Sequence, residues 1–383
     1  MLGLGLFATL SANVFINGVA FLIPTLHTDF GLDLAGAGLI SAMPSFGMVL
    51  TLIAWGYVVD RFGERLVLAL GSALAAAAVL AAATADLRAH SLVVIAAFLF
   101  LGGMAAASSN SASGRLVVGW FPAGQRGLAM GIRQTAQPLG VGIGALVIPR
   151  LAQSHGVGVA LLFPAAGCAL AAIVCAVAVL DPPRPPRAQA PTEQLVNPYR
   201  GSHTLWRIHA VSVLLVVPQC VVWTFTLVWL MADRGWSAGS AGALVAVAQY
   251  LGAAGRVAAG RWSDRVGSRL RPIRLIAAAA AAAMALLGLT DALGSGWSVA
   301  VMIVASVVTV SDNGLAFTAI AEIAGPFWSG RALGTQNTSQ FLTAGLTPPL
   351  FGALIGATGY PAAFALCALF PLLALPLVPD DRD

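Results

Sequence analysis

The sequence predicts an all-α membrane protein with twelve transmembrane helices, arranged as two six-helix halves that repeat one another in parallel. Three observations predict it. Of the 383 residues, 58% are hydrophobic and only 9% charged, whereas a soluble domain carries about 25% charged residues. The apolar residues fall into runs of the length, about 20, that crosses a bilayer. Finally, the second half of the chain repeats the first at a nearly constant offset.

The runs are Leu- and Ala-rich and too continuous for barrel strands. In lipid every backbone amide must be satisfied within its own segment, so the runs are read as helices. The first six lie at 3–26, 37–60, 66–85, 91–119, 127–150 and 158–180. The last six lie at 207–232, 238–262, 273–291, 297–321, 329–357 and 359–378. The first run has no basic leader and no small-residue cleavage site, so it reads as a span and not a signal peptide. Residues 181–206 form the one long polar, Pro-rich stretch and read as a linker. The expected organisation is a bundle at 1–180, a cytoplasmic linker at 181–206 and a second bundle at 207–383.

All 20 basic residues are Arg, and the net charge is +5. Most sit in short gaps between apolar runs, the placement of topology determinants and not of a nucleic-acid surface. With the N-terminus in the cytoplasm, Arg61, Arg65, Arg126, Arg184, Arg187, Arg200, Arg207, Arg261, Arg265, Arg269, Arg271, Arg274, Arg331 and Arg382 are cytoplasmic. Only Arg88, Arg150 and Arg234 fall outside, so both termini are expected in the cytoplasm. Cys168, Cys175, Cys220 and Cys367 lie inside apolar runs and read as small buried hydrophobes. No metal-ligand spacing or disulfide framework appears, and no cofactor is implied.

The repeat is visible in three places. Residues 56–63, GYVVDRFG, align with 260–267, GRWSDRVG, at an offset of 204. Residues 127–142 align with 330–345 at 203, and Ser108-Ser109-Asn110 aligns with Ser311-Asp312-Asn313, also at 203. Six spans is an even number, so both halves keep one orientation. Such a parallel repeat has its axis along the membrane normal and its substrate site between the halves.

Gly56-Tyr-Val-Val-Asp60-Arg61-Phe-Gly63-Glu64-Arg65 resembles the loop signature of the major facilitator superfamily, G-x-x-x-D-R-x-G-x-R. It lies between the second and third spans, where that family carries it. A second copy, residues 260–269, lies between the eighth and ninth. The resemblance covers the whole chain and implies the twelve-helix fold of a secondary transporter. It also implies that Asp60, Arg61, Arg65, Asp264, Arg265 and Glu322 act as a gating latch that breaks as the halves rock, with Glu322 facing Arg265, Arg269 or Arg331. From the residues alone, Gly56 and Gly260 allow close helix approach. Asp60 and Asp264 suit pairing with arginines or with a neighbouring helix N-terminus, while a charged turn that only sets topology is the plainer alternative. Trp120-Phe-Pro122 with Arg126-Gly127 resembles the corner between the fourth and fifth spans of organic-anion and phosphate-ester porters. Gly131, Gly140 and Gly144 match the start of a fifth-span antiporter signature, but Ala145 replaces its Pro.

Polar groups are costly in lipid and belong in a protein interior or a water-filled cavity. The third, sixth, ninth and twelfth spans carry none of Asn, Gln, Asp, Glu or Arg at their centres. Spans one, four, five, seven, eight, ten and eleven supply the cavity candidates: Asn17, Asn110, Gln137, Gln249 and Gln340, with Asn13, Gln219, Trp223, Gln336 and Asn313 beside them. For each amide alone, an interhelical hydrogen bond is the plain reading. Arginines are different, since each costs about 2.5–3.5 kcal/mol at a helix centre. Arg115 lies near a cytoplasmic end, where it can snorkel or join the latch, and reads as structural. Arg133 and Arg256 lie about two turns inside, with Asp312 the one carboxylate deep in the spans. Two guanidiniums and one carboxylate leave positive charge for an anion, which a guanidinium grips two-pronged. An internal Arg256–Asp312 pair that merely holds the bundle is the competing reading. Arg256 also resembles the eighth-span arginine of monocarboxylate, oxalate and nitrate porters.

A secondary transporter of a small organic anion, coupled to protons through Asp312, is therefore expected. A proton-coupled exporter of drugs or metabolites is the alternative within the superfamily. No phosphate-binding loop is possible in a chain without Lys, and no His–Ser or metal constellation sits in a span, so an enzyme is not expected. Expected partners are a small-molecule substrate, protons and the lipid bilayer, with no nucleic acid; the chain is expected to act as a monomer in the cytoplasmic membrane.

Overall fold

The computed structural model describes residues 1–89, 91–183 and 189–380. His90, Arg184, Arg187 and Arg382 lie outside the described residues. Every regular element within them is helical. Among the described residues, ten helical stretches are long and apolar enough to cross a membrane. Eight hold one span each, and two, Ala123–Ala178 and Ser329–Leu377, hold two spans apiece without an intervening loop, which makes twelve.

Glycine conformation explains those two joins. Gly156 (φ 83°, ψ 174°) and Gly359 (φ 79°, ψ 170°) turn the chain sharply inside what is otherwise continuous helix. This backbone region is essentially restricted to glycine. Their spacing is 203 residues, the offset of the sequence repeat. Gly31 and Gly235 (φ 64° and 67°), and Gly63 and Gly267 (φ 95° and 68°), recur at 204. The duplication is thus written in the backbone as well as in the side chains.

Among the described residues, five spans expected as continuous helices are interrupted, the twelfth of them at Ala368, between Ser329–Cys367 and Leu369–Ala374. The first passes through a 3-10 turn, Val19–Leu22, before Ile23–Phe30. Pro24 supplies no N–H to the preceding turn there. The fourth breaks at Ala107, between Leu92–Ala106 and Ser108–Trp120, and the tenth breaks between Trp297–Val308 and Asn313–Ala324. Hydroxyls loosen both: Ser109 Oγ donates to the Ala106 carbonyl (2.9 Å), Thr309 Oγ1 to Ala305 (2.7 Å) and Ser311 Oγ to Val307 (2.6 Å). The fifth breaks after Ala123–Arg133, at Gln134 and Thr135. Among the described residues of the linker lie two four-residue helices, Thr192–Leu195 and Pro198–Gly201.

By packing, the described chain forms two compact units whose segments interleave in sequence. One comprises Met1–Trp120, Thr135–Val196 and Ala324–Thr338. In it the second and fourth spans meet glycine to backbone: a Cβ on Gly47 would lie 2.0 Å from the Phe100 carbonyl oxygen, and one on Gly103 1.9 Å from that of Pro44. Thr51 Oγ1 and Trp55 Nε1 both donate to the Met104 carbonyl at 2.7 Å, beside the break in the fourth span. Asp86 accepts from the Gly158 N–H (2.6 Å), and Asp181 from those of Glu64 and Arg65 (both 2.7 Å), so both carboxylates cap helix starts.

The second unit comprises Phe121–Gln134, Asn197–Ile323 and Ser339–Asp383. Its core gathers Trp229, Leu230, Met284, Leu287, Phe364 and Cys367, with Trp229 edge-on to Phe364 at 6.0 Å. Trp229 Nε1 donates to Asp291 (3.0 Å), which also pairs with Arg234. All four cysteines are buried and free.

Candidate functional site

The two copies of the loop signature are built alike. In the first unit, Asp60 ends the helix Leu34–Phe62 and turns its buried carboxylate onto the start of the helix Ser329–Cys367. It accepts from the N–H groups of Gly330 (2.8 Å) and Arg331 (3.0 Å), which the first helical turn leaves without intrahelical partners. Arg331 Nε (3.0 Å) and Arg115 Nη1 (3.2 Å) also donate to it. In the second unit, Asp264 accepts from the N–H groups of Gly127 (3.0 Å) and Leu128 (2.8 Å) and from Arg269 Nη1 (2.6 Å). Asp60 and Asp264 are 204 residues apart, and the helix amides they hold are 203 apart.

Glycine makes each approach possible. A Cβ on Gly56 would fall 2.3 Å from the Gly330 carbonyl oxygen, and one on Gly260 2.1 Å from that of Gly127. One turn deeper, a Cβ on Gly334 would lie 2.6 Å from the Leu52 carbonyl oxygen, and one on Gly131 2.6 Å from that of Arg256. Only hydrogen fits at these crossings.

Arg115, which the sequence placed where it can join the latch, is a cation of the first cluster. It is buried, and it donates to the carbonyls of Val59 (2.7 Å) and Pro326 (2.9 Å) as well as to Asp60; its Nε lies 3.2 Å from Glu64. Arg331 is sandwiched between the rings of Trp328 (3.5 Å) and Tyr57 (5.6 Å) and faces Asp60, not Glu322. Glu322 instead bridges Arg126 (3.3 Å) and Arg269 (3.2 Å). Burial alone would lower the pKa of Arg269, but hydrogen bonds and charge from Glu322 and Asp264 outweigh it and hold the guanidinium above its ordinary value.

Arg61, Arg65 and Arg265 stand outside these ion pairs. Arg61 reaches Tyr57 Oη (3.5 Å) and lies over Phe62, because consecutive helical residues point about 100° apart and Asp60 takes the inward direction. Arg65 turns to the Ala176 carbonyl (2.8 Å), and Arg265 is exposed.

Deeper in the second unit, Arg133 and Arg256 are both buried and both meet Gln134. Arg133 Nη1 donates to the Gln134 side-chain oxygen (3.0 Å), and Arg256 Nη1 to its backbone carbonyl (2.9 Å). Each guanidinium also lies 5.7 Å from an aromatic ring centre, Arg133 over Phe317 and Arg256 over Trp223. Asp312, buried at the break in the tenth span, is close enough for its charge to act on Arg256, yet no direct ion pair joins them. Gln340 Nε2 donates to Asn313 Oδ1 (3.2 Å) and Asn313 Nδ2 to Gln219 Oε1 (2.8 Å), linking three spans. Gln249 is half-buried and lines a small cavity with Trp223, Thr226 and Ser306.

The remaining candidates belong to the first unit. Asn17 donates to the Asn13 carbonyl and side-chain oxygens (both 3.2 Å), and Asn110 Nδ2 lies 3.5 Å from Met48 Sδ. Gln137 is half-buried just beyond the break in the fifth span. Sequence reasoning missed Gln134, although Pro138, four residues on, marks its carbonyl as one without a helical donor.

Comparison with known proteins agrees with this architecture. The sequence profile of the Major Facilitator Superfamily matches residues 5–348. An uncharacterized MFS-type transporter of Mycobacterium tuberculosis is 60% identical over 371 residues, covering 97% of this chain and 82% of the relative. A probable galactarate/D-glucarate transporter of Bacillus subtilis is 23% identical over 377 residues, covering 88% and 80%. Among solved structures, the proton:xylose symporter XylE superposes with a TM-score of 0.77 at 18% identity, covering 98% of this chain and 95% of that one.

Proposed function

Because this chain belongs to the Major Facilitator Superfamily, and is thus a multi-pass membrane transporter of the permease type, we propose that it moves a small organic anion, a carboxylate, by proton-coupled alternating access. The observation that carries this reading is the pair of buried guanidiniums meeting at Gln134. The carboxylate near Arg256, Asp312, makes no direct ion pair with it, and Arg256 donates its hydrogen bond to a neutral carbonyl. Uncompensated positive charge in a low-dielectric interior is a binding site for an anion. A relative named for galactarate and D-glucarate, both dicarboxylates, fits the same chemistry.

In this reading Arg133 and Arg256 grip the carboxylate, and Asn17, Asn110, Gln137, Gln249 and Gln340 contact the rest of the substrate. Asp312 carries the proton. Asp60 and Asp264, with Glu322 and the neighbouring Arg61, Arg65 and Arg265, form the gate at the cytoplasmic ends. The halves 1–180 and 207–383 rock about the linker 181–206, in a monomer set in the cytoplasmic membrane with both termini inside.

Flux into proteoliposomes tests this. Lactate, succinate and D-glucarate are supplied as labelled substrates, with tetraphenylphosphonium as the lipophilic cation that a drug exporter would take. Saturable uptake and counterflow of a carboxylate support the reading. Transport of the cation alone would refute it. Arg256→Lys keeps the charge but loses the two-pronged grip, so carboxylate flux should fall at least tenfold in a folded protein. Asp312→Asn should preserve exchange and abolish its dependence on a proton gradient.

A further inference from the structure

We infer that Pro138 and the backbone carbonyl of Gln134 are positioning elements of the anion site, holding Arg256 away from Asp312 so that its charge stays available to substrate. The inference rests on the proposed anion grip and adds a part to it. In a continuous helix the carbonyl of residue 134 accepts from the N–H of residue 138. Residue 138 is proline and has no N–H. The helix breaks here, between Ala123–Arg133 and the helix beginning at Ala136. A carbonyl orphaned in a membrane interior must find another donor, and it finds Arg256 Nη1 at 2.9 Å.

The same contact explains an oddity of Arg256. The residue is buried, and the charge of Asp312 acts on it, yet no ion pair forms. Its Nε has no acceptor at all. A guanidinium free to choose would take the carboxylate, since charge-assisted bonds are about twice as strong as bonds to neutral acceptors. Its hydrogen bond to the Gln134 carbonyl, with the Trp223 ring 5.7 Å away, keeps it from that choice. Because Arg133 holds the side-chain oxygen of the same residue, Gln134 sets the position of both guanidiniums at once.

Pro138→Ala supplies the missing N–H. The Gln134 carbonyl then closes its own helical bond, Arg256 is released, and Asp312 captures it. With D-glucarate as the probe anion in counterflow, the expected result is a KM raised by about tenfold, equivalent to about 1.4 kcal/mol, with little change in maximal rate. Adding Asp312→Asn to Pro138→Ala removes the capturing carboxylate and should bring KM back toward wild type. A merely structural proline would show neither the KM-specific change nor the rescue. KM within twofold of wild type, or no rescue, overturns the inference.

A second measurement needs no substrate. Arg256→Met leaves the Gln134 carbonyl orphaned in the wild-type background but not beside Pro138→Ala, so its loss of Tm should be at least halved in the double variant. Additive losses overturn the inference; Arg256→Gln serves in the same cycle if the Met variant does not fold. Should the wild-type protein carry no carboxylate, the proposed function fails while this cycle still decides whether Pro138 frees the carbonyl for Arg256.

Discussion

Replacing Asp60 by Asn leaves the side-chain shape almost unchanged and turns one of its two acceptor oxygens into a donor. In the structure those oxygens receive at least four donors: Gly330 N–H and Arg115 on one, Arg331 N–H and Nε on the other. Whichever way the amide faces, two donors lose their acceptor and meet an NH2 group. Each hydrogen bond to a charged group contributes about 1.5–3 kcal/mol, and removing one partner of a buried pair costs about 3–5 kcal/mol. A loss of about 3 kcal/mol is the conservative value, and at 1.4 kcal/mol per tenfold it shifts the docking of the helix start at Ser329 by about a hundredfold. Ser329→Cys reports on that docking, because Ser329 is buried and the four native cysteines are buried too. Labelling of this cysteine by a membrane-impermeant maleimide should accelerate by roughly that hundredfold when Asp60→Asn is added. Substrate affinity in counterflow should hardly move. An unchanged labelling rate would refute the capping argument, and a large affinity change with normal exchange would place Asp60 in the substrate site instead.

Other expectations follow from the same geometry. Asp264→Asn should behave like Asp60→Asn in the second unit, freeing Gly127 and Leu128, and hydrogen exchange at those two amides reads it directly. Gly260→Ala would place a Cβ 2.1 Å from the Gly127 carbonyl oxygen; overpacking of this kind costs about 1–3 kcal/mol, seen as a lowered Tm, and an unchanged Tm would mean the crossing is looser than it is drawn. Gly156→Ala and Gly359→Ala should each cost about 1–3 kcal/mol of backbone strain, and equal losses at the two sites would follow from their matching φ and ψ. Asn313→Ala breaks the links to Gln219 and Gln340; at about 0.6 kcal/mol per interhelical bond, thermal denaturation should register a loss of about 1 kcal/mol.

The number of spans, their parallel duplication and the two signature loops were all legible from the amino acids. Lipid leaves the backbone one local solution, the helix, so hydropathy alone marks the elements. Duplication keeps its record in a constant offset, which the backbone repeats at Gly156 and Gly359. The cost of a buried guanidinium likewise singled out Arg133 and Arg256 before any coordinates. Which groups those charges meet was decided only by the tertiary structure. Asp60 and Arg61 are neighbours in sequence, yet the partners of Asp60 are Arg115 and Arg331, supplied from 55 and 271 residues away. Pattern in one chain cannot rank such distant partners, because every candidate arginine has the same charge and only direction and distance separate them. The breaks in the fourth and tenth spans escaped for a related reason: a hydroxyl bonding back to its own helix looks, in sequence, like any other serine or threonine. Pro138 was in plain view, but its consequence, an orphaned carbonyl matched by an arginine 122 residues away, exists only once the fifth and eighth spans are packed.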